Sequence, residues 1–127
     1  MSGKLTKNEL HKIIEKRSTG KLSFSEFLDE LSKIGIAEYN IDVATGVATY
    51  KNEHSELKTD PQVDFVISNY FDRNQAGQII ANITLPFLDF LRGIANAGIK
   101  TYNVNITEKK AVYIGIHGEQ MIEPLQL

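Results

Sequence analysis

Two hydrophobic spacings alternate along the chain. Leu10, Ile13 and Ile14 form a stripe at helical spacing that Gly20 stops. Phe24, Phe27, Leu28 and Leu31 then follow the i, i+3, i+4, i+7 spacing of one helix face, and Gly35 stands where a left-handed cap residue is wanted. Each of these helices opens on a capping box, Thr6-x-x-Glu9 and Ser23-x-x-Glu26, in which a hydroxyl and a carboxylate satisfy orphan amides. After Gly35 the period drops to two. Tyr39, Ile41 and Val43 alternate with Asn40 and Asp42, the pattern of a strand with one apolar and one polar face. Thr45-Gly46 supplies a turn, and residues 47–51 a return strand.

The second half restates this plan. Ala76, Ile79, Ile80 and Ile83 make one stripe, and Thr84 is placed to cap the next helix with Pro86 in its first turn. Phe87, Phe90, Leu91 and Ile94 make the next stripe, and Gly98 ends it. Tyr102, Val104 and Ile106 alternate with Asn103 and Asn105 before a Glu108-Lys109 turn and a return strand over 110–116 that is apolar on both faces. Residues 64–69 are expected to add a strand between the halves, and 119–124 to pair back on "AVYIGI" across His117-Gly118. Sliding the sequence by 63 aligns residues 22–56 with 85–119 without a gap, and twelve of the 35 positions are identical, Gly35/Gly98, Tyr39/Tyr102, Asn40/Asn103 and Tyr50/Tyr113 among them. The expectation is a single α+β domain over residues 1–127, from an internal duplication of helix-helix-strand-strand units at about 5–61 and 70–124. Its sheet is mostly antiparallel, with five or six strands and helices packed on one face.

The arrangement "FSEFLDELSKIGIAEYNIDVATGVATY", echoed by "FLDFLRGIANAGIKTYNVNITEKKAVYI", resembles the YbcV-like family of small bacterial domains of unknown function, many of whose members are labelled phage envelope protein. The resemblance covers roughly residues 10–124 and rests on a helix–Gly–hydrophobic–x–x–aromatic–strand pattern that occurs twice. It implies the fold. It brings no catalytic residue, cofactor or substrate, and the label implies at most a mobile-element history.

Composition narrows the function classes. With 42% hydrophobic and 24% charged residues the chain can build a core without staples, and the absence of cysteine removes disulfides, thiolate metal sites and a cysteine nucleophile. No apolar run approaches the length of a membrane span and no secretory h-region is visible, so a cytoplasmic location and no membrane partner are expected. The net charge of −2 argues against a nucleic-acid binder, although Lys4, Lys7, Lys12, Lys16 and Arg17 make the first helix basic.

Three sets of residues are candidates for function. His54-x-Glu56 and His117-x-Glu119 each place an imidazole and a carboxylate on one strand face, the makings of an oriented base or of a divalent-metal site. The plainer reading is turn chemistry after a return strand. Tyr39 and Tyr102 either stack on a planar ligand or plug the junction of helix and sheet, and their register with Ile41 and Val104 favours the core. Asn40, Asp42, Asn103 and Asn105 share the opposite face, the better place for a ligand or partner if no helix covers it. Tyr50 and Tyr113 fall on positions whose facing the pattern leaves open. No nucleophile, phosphate-loop or dinucleotide motif occurs and no cofactor is expected. A non-enzymatic ligand-binding or protein-interaction domain is therefore the leading reading, with a homodimer one assembly open to it. A small enzyme or metal-binding protein using the His-x-Glu pairs is the alternative.

Overall fold

Ser23 and Glu26 do what their spacing predicts. The Ser23 hydroxyl accepts from the Glu26 amide at 3.1 Å, and the Glu26 carboxylate accepts from the Ser23 amide at 2.8 Å. The helix they start, α2 (Phe24–Lys33), buries Phe27, Leu28 and Leu31. Its end is closed by Gly35 at φ +90° and by the Ile36 amide donating to the Leu31 carbonyl at 3.0 Å. Substituting Ser23 by alanine is expected to cost about 1 kcal/mol, read as a lower chemical-denaturation midpoint at unchanged slope.

The computed structural model describes residues 7–52, 56–82 and 85–125. Helix α1 (Lys7–Ser18) precedes α2, and three strands follow: β1 (Glu38–Asp42), β2 (Ala48–Lys51) and β3 (Glu56–Lys58). The second half brings α3 (Arg73–Ala81), α4 (Phe87–Asn96), β4 (Ile99–Asn105), β5 (Lys110–Gly115) and β6 (Gln120–Pro124). The strands form one six-stranded antiparallel sheet in the order β3-β2-β1-β4-β5-β6. Both halves thus run helix, helix, strand, strand, strand, and they meet edge to edge where β1 pairs with β4.

The register decides what each face carries. Tyr39 and Ile41 on β1, Tyr50 on β2, Tyr102 and Val104 on β4 and Tyr113 on β5 all point into the helix layer and are buried. Tyr39 stacks on Tyr50 at 5.1 Å between ring centres and meets Phe27 of α2 edge-on at 6.2 Å. Tyr102 repeats the arrangement, 5.1 Å from Tyr113 and 5.8 Å from Phe90 of α4. The open question of Tyr50 and Tyr113 is therefore settled: both are core residues, packed as the partners of the two tyrosines nearest the seam.

Three expectations need correcting. Residues 64–69 are not a strand. The amides of Phe65, Ser68 and Asp72 donate instead to the carbonyls of Ala44, Ala95 and Ala97, so the segment is extended but ties a turn to the end of α4. Its alternation is spent on packing, with Phe65 and Ile67 against the core and Val66 outward, and both sides of β1 are already taken. The strand missed in its place is β3, a short edge strand of two charged residues around Leu57. In the second half α3 ends at Ala81, and Pro86 stands at the cap position of α4, without a side-chain cap bond, rather than inside its first turn. The ring fixes φ of Pro86 at −57°, and with ψ at 150° the residue makes an extended entry, so the helix starts at Phe87. Phe87 consequently lies outside the buried stripe and is exposed, while Ala95 joins Leu91 and Ile94 inside. Thr6, His54, Ile83 and Thr84 lie outside the described residues.

Candidate functional site

The four helices cover one face of the sheet, and the other carries three rows of side chains in line across the strands. The middle row runs Lys58, Thr49, Asn40, Asn103, Val112, Ile122 from β3 to β6. One flanking row runs Glu56, Lys51, Glu38, Asn105, Lys110, Pro124, and the other includes Asp42, Thr101, Ile114 and Gln120. The face is partly exposed throughout, its residues half-buried on the central strands and open on the edges. It divides into a polar part over β3, β2, β1 and β4 and an apolar part over β5 and β6.

At the middle of this face Asn40 and Asn103 stand directly opposite one another, although they lie sixty-three residues apart in sequence. The Asn103 amide nitrogen donates to the Asn40 side-chain oxygen at 2.8 Å and to the Glu38 carboxylate at 2.9 Å. Both of its hydrogens are then used. Among the described residues the Asn103 oxygen, an acceptor, and the Asn40 amide group, a donor, take no further part in this network. Beside them a hollow of about 530 Å³ is lined by Asn40, Asp42, Thr45, Thr49, Lys58 and Thr101, with Ile41 and Val47. Asp42 is held in it by the Thr45 hydroxyl, which donates to one carboxylate oxygen at 2.6 Å.

Of the predicted residues, Asn40, Asp42, Asn103 and Asn105 come together on this face. Tyr39 and Tyr102 do not reach it. They lie on the helix side of the sheet, where burial pushes both phenols well above the usual tyrosine range. Sequence reasoning passed over Thr45, Thr49, Lys58 and Thr101. The signal for Thr49 was the period-two register it shares with Asn40, but Lys58 depended on recognising β3.

The His-x-Glu pairs are placed differently. Glu119 sits in the turn between β5 and β6, where its carboxylate accepts from the His117 amide at 2.9 Å. Bonding to its own amide and to that of His117 holds the Glu119 carboxyl below the usual carboxylate range. The His117 ring nitrogen Nε2 lies 2.9 Å from the Asn69 carbonyl oxygen, so the imidazole fastens the 64–72 segment to the turn. Glu56 is on the opposite side of the sheet, on β3. Four strand spacings separate β3 from β5, roughly 19 Å, so Glu56 and Glu119 cannot share an ion. Among the described residues no group of three His, Asp or Glu side chains could hold a metal ion, and no helix is long and apolar enough to cross a membrane.

Among models of known families, one described as "Protein of unknown function (DUF1398)" matches residues 11–123. No curated protein matches the chain.

Proposed function

The chain belongs to the DUF1398 family of unknown function, and from that premise we propose that it is a non-enzymatic binding domain whose site is the uncovered face of the sheet. One observation carries the reading. Four helices cover one face, burying its central strands, while the other keeps a hollow lined by amide, hydroxyl, carboxylate and ammonium groups. Folding alone does not require that set, because such groups contribute little to stability where water still reaches them. In the second half the counterparts of Thr49 and Lys58 are Val112 and Ile122, and the sheet there keeps the same pairing. Apart from Thr101 on β4, the polar hollow is therefore built by the first half and is not a property of the scaffold.

This reading takes the two halves as copies of one ancestral unit, and the chain as a cytoplasmic relative of the YbcV-like domains whose pattern it resembles. The His117–Glu119 turn serves as a clasp in it, since both side chains are engaged by backbone groups. Amide chemical shifts followed by NMR against a library of small polar metabolites and divalent ions test the proposal. Perturbations are expected at Asn40, Asp42, Thr49 and Thr101. A map centred on His117, or one with no residue of this face in it, would sink the idea.

A further inference from the structure

We infer that the ligand of this face is an N-acylated amino acid, a free amphiphile with an anionic head, a secondary amide and an apolar chain. The inference rests on the binding reading above and names the chemistry of the same site. It follows from the order of groups along the middle row.

At one end stands Lys58, an ammonium with no ion pair among the described residues, beside the Thr49 hydroxyl. A carboxylate is the complement of that end. In the middle, Asn40 offers a donor and Asn103 an acceptor left over from the bond between them. A secondary amide carries one N–H and one C=O, the matching pair. At the far end Val112 and Ile122 are adjacent across β5 and β6, with Ile114 one position along, and Ile122 is 58% exposed. An apolar chain laid there removes surface that nothing else among the described residues covers. From β2, over which the Lys58 side chain can lean, to β5 is three strand spacings, about 14 Å. An extended N-octanoylglycine covers that span.

A second copy of the chain fits the face poorly. A two-fold axis running along the row sets Lys58 against the Lys58 of the other copy. An axis running along the strands sets Lys58 on Ile122. Either arrangement desolvates an ammonium without a counter-charge. The open face also lacks an aromatic side chain among the described strand residues, so a nucleobase or a sugar ring finds no stacking surface.

Calorimetric titration of the intact chain with N-octanoylglycine tests this, with N-acetylglycine and the methyl ester of N-octanoylglycine as comparison probes. Shortening the acyl chain is expected to weaken binding at least tenfold, since each methylene placed on apolar surface contributes a factor of roughly two to four. The Lys58→Gln variant should bind the acid about fivefold more weakly and the ester unchanged, whereas Ile122→Ser should weaken both. Both residues are exposed, so neither change threatens the fold. Equal affinity for the acetyl and octanoyl probes, or affinities unmoved by both variants, overturns the inference. If polar compounds still perturb Asn40 and Thr49 in the NMR experiment, the binding reading survives that result. If no compound does, both fail. A chain found dimeric by light scattering, dissociated by Ile122→Ser and blind to N-octanoylglycine would assign the apolar strip to self-association and overturn the inference.

Discussion

Gly98→Ala is expected to cost roughly 3–5 kcal/mol or to prevent folding, while the same change at Gly35 costs about 1 kcal/mol. The two glycines occupy equivalent positions, each ending a helix with positive φ, +90° at Gly35 and +87° at Gly98. Alanine meets the same backbone strain at both. What differs is space. A β-carbon at Gly35 has no atom within 4 Å, but at Gly98 it lies 2.5 Å from the Tyr70 carbonyl oxygen and 2.8 Å from the Phe71 α-carbon. Those are backbone atoms of the segment that hydrogen-bonds through Asp72 to Ala97, so relief requires the connection between the halves to lift away. Thermal unfolding followed by circular dichroism separates the two. The expected loss is about 10 °C or more for Gly98→Ala and a few degrees for Gly35→Ala. Equal shifts would show that backbone strain accounts for both and that the close approach is easily relieved.

The second large effect is an abrupt loss of structure in alkali. Burial raises the phenol pKa values of Tyr39, Tyr50, Tyr102 and Tyr113, so their folded-state values lie above those of an unfolded chain. Below pH ~10 both states hold the protons, and the contribution is fully present. Above it the unfolded chain ionises first and binds fewer protons, so stability falls as pH rises toward the folded-state values. Each tyrosine contributes a slope of about 1.4 kcal/mol per pH unit, and four together about 5. A domain of ordinary stability is then expected to unfold cooperatively between about pH 10.5 and 11.5. The tyrosinate absorbance of the four buried tyrosines and the ellipticity should change together in that window. Tyr102→Phe should make the dependence of stability on pH shallower by about a quarter. Tyr70, the fifth tyrosine, is exposed, so an early rise of more than about a fifth of the tyrosinate absorbance before any loss of ellipticity would contradict the burial argument.

The architecture was legible where a residue's local duty coincides with its tertiary one. Ser23 and Glu26 cap a helix whatever surrounds it, and the Tyr39-Ile41 and Tyr102-Val104 alternations face a core on either sheet edge or centre. The pattern failed where the chain satisfies its amides outside a ladder. Residues 64–69 have the alternation of a strand, but their partners are a turn and a helix end, which no local pattern reveals. Lys58 failed for the opposite reason, since β3 has a single partly buried residue, Leu57, and three residues give no period to read. The candidate site was half visible. The shared face of Asn40 and Asn103 follows from period two, but that the two side chains meet depends on β1 pairing with β4 in one register. A one-residue slip would have sent the amides into the core.

That register also decides the order of assembly. The other strand pairs join segments linked by short turns, whereas the β1–β4 seam closes a long loop, from Asp42 at the end of β1 to Ile99 at the start of β4. Loop-closure entropy makes such a contact the slowest to form, while hairpins such as β1–β2 and β4–β5 can form within each half. Each half then carries a bare strand edge until the seam shuts, and the tyrosine pairs of β1–β2 and β4–β5 wait as two separate apolar surfaces. The seam therefore sets both how fast the domain folds and how long its sticky edges stay open to other chains.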